Sequence, residues 1–197
     1  CFGLELECED SLECLGLEVP TASFKEGPYG TSFRDIAGPV VIPTTVGDWS
    51  FETHFDGNDS YVFLNTTANG SDFSNFVTTL WDSNFKFFLW EAPRNTHLFF
   101  MSFDASNEAV LAMETKVLES IDKLEPEEAC WWRKRVHFVT SPPQNIPGWI
   151  GEMLSQNGWF GFAVDRAQQI RPLGLLQTVG GTPQLSFLAS ELHSYNF

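Results

Sequence analysis

Four short apolar runs, each bounded by turn-forming residues, constrain this chain most. Residues 60–65, 97–103, 135–140 and 160–165 are dense in Val, Leu, Phe and Met. Such a run suits a strand buried on both faces, as in a sheet covered by helices. Between the first two runs, Phe73, Phe76, Val77, Leu80 and Trp81 recur at spacings of three and four, which predicts a helix from Asp72 to Trp90, closed by Pro93. Between the second and third, Ser106 is placed to cap a helix with Glu108 in its first turn. Val110, Met113, Val117, Ile121 and Leu124 form its apolar face. Strands alternating with helices predict an α/β unit with parallel strand pairs. Residues 168–173 are expected to return antiparallel to the fourth run. Residues 36–55 read as a hairpin turning near Val46 and Gly47. Pro126, Glu127 and Glu128 read as a break, and 147–154 and 185–193 as shorter helices.

The chain has 197 residues and is 43% hydrophobic, enough for one domain with a sizeable core. Its division is expected at residue 35: an acidic arm over 1–35, then a domain over 36–197. No apolar run approaches the roughly 18 residues of a membrane span. A first residue of Cys suggests a trimmed N-terminus, and the ending at Tyr195, Asn196 and Phe197 suggests a longer precursor. The formal net charge is −15, with seven acids against one lysine in the first 26 residues. An acidic body repels phosphate backbones, which argues against nucleic acid and leaves a protein partner or a cation.

Cys1, Cys8 and Cys14 crowd the start of a chain whose fourth cysteine is Cys130. This pattern points to a disulfide-stapled arm in an oxidising compartment. Three connectivities are possible, and the favoured one joins Cys8 to Cys14 and Cys1 to Cys130. Zinc is disfavoured, because no Cys-x-x-Cys spacing occurs and no histidine lies near the cluster. Asn58, Asn65 and Asn69 each begin an N-glycosylation sequon. Three sequons in one turn-rich stretch, with the cysteines, predict a secreted or cell-surface glycoprotein.

Four segments then carry a family resemblance in the right order. Residues 38–48, from Gly38 through Pro43 and Thr44 to Gly47 and Asp48, resemble the Pro-Thr-x-x-Gly entry of redoxins. Residues 60–65 resemble the strand that delivers the active-site loop. Residues 101–108, with Ser102, Asp104 and Glu108, resemble the Val-Ser-x-Asp strand end. Residues 162–171, with Asp165, Arg166, Ile170 and Arg171, resemble the late Ile-Asp-Arg-x-Gly-x-Ile-Arg segment. The chain is thus similar to the thioredoxin-like proteins of the redoxin (peroxiredoxin and thiol-disulfide) branch. The resemblance implies a central mixed sheet flanked by helices. It also implies a reactive cysteine at a helix N-terminus after the first core strand, where the dipole stabilises a thiolate. Residues 65–75 contain no cysteine and bring in Asp72. The family's usual glycine is replaced by Gln168. No catalytic residue transfers.

The expected function is therefore a non-catalytic extracellular binding or structural module, without a cofactor and without thiol chemistry. The competing reading is an exported thiol oxidoreductase or peroxidase using Cys130, beside Arg133, Lys134 and Arg135, or using the Cys8/Cys14 pair. A third is a calcium- or glycan-binding surface module. Asp56, Asn58 and Asp59 offer oxygen ligands for calcium, though an Asx-type turn fits better because no EF-hand pattern follows. His97 and His137 fall on neighbouring predicted strands and invite a metal pair. A structural histidine bonded to backbone is favoured. Trp131 and Trp132, beside those cations, are candidates for an exposed recognition patch.

Overall fold

The computed structural model describes residues 21–66, 85–102, 105–157, 161–173, 178–179, 182–183 and 192–193. The first strands among the described residues form an antiparallel hairpin, β1 (Val41–Thr44) and β2 (Gly47–Ser50). Its turn falls at Thr45 and Val46, as the sequence predicts. Gly47 follows at φ 119°, a backbone conformation that favours glycine. The Thr44 hydroxyl closes the turn by donating to the Gly47 carbonyl at 2.6 Å. A one-turn helix, α1 (Phe51–His54), follows directly, its first turn capped by the Ser50 hydroxyl.

The core sheet has five strands. They are β3 (Ser60–Thr66), β4 (Thr96–Ser102), β5 (Val136–Phe138), β6 (Gly161–Val164) and β7 (Ile170–Pro172). Their spatial order is β5-β4-β3-β6-β7. The pairs β3–β4 and β4–β5 are parallel, whereas β6 and β7 run antiparallel to their neighbours. All four apolar runs thus contribute strands, and the antiparallel return of the fourth forms as expected. The fold is a mixed α/β sheet flanked by helices.

Side chains on a strand alternate between faces, and both faces are covered. Val62, Leu64, Leu98, Phe100, Val136 and Phe138 point to one. There they meet α2 (Phe85–Glu91), α3 (Asn107–Ile121) and α4 (Pro126–Arg133). Tyr61, Phe63, Phe99, Met101 and Phe162 point to the other, against the hairpin, α1 and α5 (Trp149–Asn157). Helix α3 starts where its cap predicts, with the Ser106 hydroxyl accepting from the Ala109 amide at 3.2 Å. It buries Val110, Met113, Val117 and Ile121. Burying each such side chain is worth about 1.5–3 kcal/mol.

Two expectations need correction. Pro126 does not break the chain but opens α4, where its missing N–H costs nothing. Glu127 and Glu128 lie in that helix's first turn and Arg133 in its last, the signs the helix dipole favours. Trp131 and Trp132 form no exposed patch: both are buried. Their spacing along α4 turns them onto the sheet, and cations cover them instead. The Arg135 guanidinium stacks 4.1 Å from the Trp131 ring centre, and that of Arg94 lies 5.9 Å from the Trp132 ring.

The described part of the arm, from residue 21, is tied to the domain. The Ala22 amide donates to the Asp56 carbonyl at 2.6 Å, and Arg34 and Asp35 exchange backbone bonds with Ile170. This covers the outer edge of β7. The hairpin covers β5 through Thr45 N–H to the Phe138 carbonyl and Thr140 N–H to the Pro43 carbonyl, both at 3.0 Å. Neither sheet edge therefore presents a bare strand. The predicted helix over 72–90 is described only at its end, in α2. Of the expected 185–193 helix only Leu192 and His193 are described, both helical. Among the described residues no helix is long and apolar enough to cross a membrane.

Candidate functional site

A cluster of polar side chains from separate segments converges on the hairpin side, at the end of the sheet where β3 and β4 begin. Asp59, His97 and His137 belong to three different segments. Alternation puts His97 on the same face as Phe99, and His137, flanked by Val136 and Phe138, on that face too. Register does the rest. His97 is level with Tyr61, two residues past Asp59, and His137 is level with Phe99, two residues past His97. The three side chains therefore form a diagonal across the sheet.

The contacts follow that diagonal. His97 Nε2 lies 3.2 Å from Asp59 Oδ2, and His97 Nδ1 lies 3.0 Å from His137 Nε2. The Arg135 guanidinium is 3.6 Å from Asp59 Oδ1. It is itself anchored by Nε donating to the Arg94 carbonyl at 3.1 Å. Aromatic rings enclose the chain. Tyr61 stacks on His97 with ring centres 5.5 Å apart, Phe99 stacks on His137 at 4.4 Å, and Trp49 touches both histidines. The Tyr61 hydroxyl donates to the His54 carbonyl at 3.1 Å.

These bonds fix the proton positions. An ionised carboxylate only accepts, so His97 carries its proton on Nε2. With that ring neutral, Nδ1 is an acceptor, and His137 must donate to it from Nε2. Electrostatics agree. Burial pushes Asp59 up, but the His97 hydrogen bond and the Arg135 charge outweigh it and hold the carboxyl below its usual range. Burial pulls His97 down against the opposing pull of Asp59. Burial, with His97 beside it, pushes His137 down to about 3. At neutral pH the chain is one carboxylate and two neutral imidazoles, balanced by Arg135.

A second buried carboxylate lies beyond β6. Asp165 Oδ1 accepts from the Ala167 and Gln169 amides at 2.9 and 2.8 Å, and Oδ2 accepts from Arg171 Nε at 2.6 Å. Gln168, in the turn this holds, is fully buried at φ 62°. It keeps the left-handed conformation suited to glycine. Its side chain accepts from the Lys25 amide at 2.6 Å and donates to the Ala37 carbonyl at 2.8 Å. The side chain thus ties this turn to the segment before the hairpin.

The other predicted site residues are scattered. Asp56 forms the expected Asx turn, Oδ1 accepting from the Asn58 amide at 2.8 Å and Oδ2 from Asn58 Nδ2 at 2.9 Å. Its oxygens face Asn58 while those of Asp59 face His97 and Arg135, so the calcium candidates do not converge. No group of three or more His, Cys, Asp or Glu among the described residues is arranged to hold a metal ion. His97 and His137 do meet, as the metal-pair reading requires. They bond to each other and to Asp59 rather than to backbone. His54 binds the Ser50 carbonyl through Nδ1 and stacks on Trp49, and His193 binds the Glu91 carbonyl. Asn58 is a half-buried turn residue beside buried Ser60, Asn65 is in β3, and Asn69 lies outside the described residues.

No cysteine among the described residues is free, and Cys130, on α4, is disulfide-bonded. Of the neighbouring cations, Arg133 pairs with Asp122 and Arg135 faces Asp59. Cys1, Cys8 and Cys14, and the stretch after β3 where a redoxin carries its thiol, lie outside the described residues. The pairings Cys8–Cys14 and Cys1–Cys130 therefore rest on the sequence. What sequence reasoning missed was the partnership of Asp59 with Arg135. The strand parity of Asp59, His97 and His137 was the available signal.

No family model matches the chain, and no curated protein sequence matches it. Two solved structures share its course loosely. One is described as a thiol:disulfide interchange protein DsbE from Chlorobium tepidum. It is 10% identical with a TM-score of 0.40, covering 73% of this chain and 84% of that one. The other is ScoI from Bradyrhizobium japonicum with copper bound. It is 13% identical with a TM-score of 0.44, covering 81% of this chain and 99% of that one.

Proposed function

We propose that this chain is a thioredoxin-like module that works by binding a protein partner rather than by thiol exchange, outside the cell. The observation that carries this reading is the placement of its cysteines. Residues 65–75, which follow the central strand β3, contain none. Cys130, the cysteine inside the domain, is engaged in a disulfide. A thiolate is the nucleophile of redoxin chemistry, and a bridged sulfur cannot serve as one until it is reduced. The mixed sheet, with three parallel strands and an antiparallel pair, supports the thioredoxin-like assignment. The even cysteine count and the sequons at Asn58, Asn65 and Asn69 support secretion; at Asn58 the side-chain Nδ2 is held by Asp56.

An insulin-reduction assay and a peroxide-consumption assay on the full chain test the reading. The expected result is no turnover above buffer. Turnover abolished by Cys130→Ser would overturn it and install the oxidoreductase reading.

A further inference from the structure

We propose that Asp59, His97 and His137 form an acid-operated latch, which holds β5 and the β1–β2 hairpin against β4 while both rings are neutral and releases that corner when they take up protons. Three features of the geometry carry this. First, each nitrogen within the chain is committed. His97 donates from Nε2 to Asp59 and accepts at Nδ1 from His137 Nε2, with both N–O and N–N distances in hydrogen-bonding range. A first added proton goes to His137 Nδ1, the ring nitrogen outside this chain of bonds, and sets a cation in the buried site. A second sets two N–H groups against each other across 3.0 Å.

Second, the added charge has nowhere favourable to go. The groups acting on the rings are Asp59 before β3, His54 at the end of α1 and Arg135 before β5, with Tyr61 stacked on His97; Arg166 after β6 acts on Asp59, and Asp56 on Tyr61. Asp59 is already shared with Arg135. The first imidazolium would have only neutral His97 between it and a carboxylate already shared with Arg135, in a site closed by Trp49, Tyr61 and Phe99. A buried charge without its own partner is costly.

Third, the element that would yield is short. Strand β5 has three residues, and its middle one is His137. Its outer edge carries the hairpin through Thr45, Val139 and Thr140. Trp49 on β2 packs directly on His137. Losing the His97–His137 bond therefore loosens one corner rather than the whole sheet.

The sign is set by the two lowered histidines. Their unfolded value is near 6.5. Below that pH the open state binds protons that the closed state refuses, so closure is complete above about pH 6.5 and weakens as the pH falls towards 3. Each histidine held neutral raises the opening constant about tenfold per pH unit in that window.

The test is a titration of the full chain from pH 7.5 to 4.5, reading histidine nitrogens by long-range 15N–1H NMR and amide protection factors by hydrogen exchange. At pH 7.5 both rings should be Nε2–H tautomers. On acidification, protection of 41–50 and 136–140 should fall at least tenfold per unit, while that of 161–171 stays level. The double variant H97N/H137Q, which keeps polar side chains without titration, should remove the fall. Histidines that titrate near 6.5 with unchanged protection would overturn the latch, as would an equal acid loss in the double variant. If that variant does not fold, the titration of the unaltered chain decides alone.

Discussion

Asp59 and Asp165 are both buried carboxylates at the same end of the sheet, and the chain treats them oppositely. Asp165 sits in a turn that supplies two backbone amides and an arginine, none of which changes charge near neutral pH. Asp59 receives one bond from a histidine, and its other oxygen stands 3.6 Å from Arg135 without a hydrogen bond. Arg166 bridges the two neighbourhoods by donating from Nε to the Gly57 carbonyl at 2.9 Å. Local turn geometry can satisfy a carboxylate completely. A carboxylate met only by side chains from other strands depends on their register and protonation. The first arrangement is a fixed joint and the second a conditional one.

The comparison breaks most sharply at Asp59. Replacing it by Ala leaves Arg135 buried without its carboxylate and His97 without an acceptor. Removing one partner of a buried pair costs about 3–5 kcal/mol. Urea denaturation at pH 7.5 should show that loss, and Asp59→Asn, which still accepts from His97, should recover part of it. A cost below about 1 kcal/mol for Asp59→Ala would mean the chain of bonds does not hold the corner. Asp165→Ala should cost less, about 2 kcal/mol, because the freed amides lie in a turn that water can reach. Its cost should be the same at pH 7.5 and 5.5. A cost that changed with pH there would erase the distinction between the joints.

What the sequence made legible follows the same division. The strands were readable because each is a continuous apolar run, and α3 because Ser106 and its periodic face lie within one segment. Helix α4 was missed because Pro126 reads equally as a stop or as a first turn, and only packing of Trp131 and Trp132 on the sheet decides. At the site, the sequence put His97 and His137 on neighbouring predicted strands and left Asp59 in a turn. Which residues stand level across β3, β4 and β5 is fixed by tertiary pairing, so the diagonal could not be read. Arg135 looked like a neighbour of Cys130 because sequence distance was the only distance available.

The smallest difference lies between two replacements of Gln168, where the fixed joint meets the arm. Its φ of 62° carries a steric cost of about 1–2 kcal/mol for any residue with a Cβ. Its side chain offsets that with bonds to the Lys25 amide and the Ala37 carbonyl, which no glycine could make. Gln168→Ala keeps the strain and loses the bonds, so it should lower stability by about 2 kcal/mol. Gln168→Gly loses the same bonds but relieves the strain, so its cost should be smaller by about 1 kcal/mol. In both variants the segment around Lys25 should become more open to limited proteolysis, while the β6–β7 pairing persists because Asp165 still gathers the turn. Equal stability losses for Ala and Gly would show that the left-handed conformation is not what the turn demands, and that Gln168 acts only as a strut between the arm and the sheet.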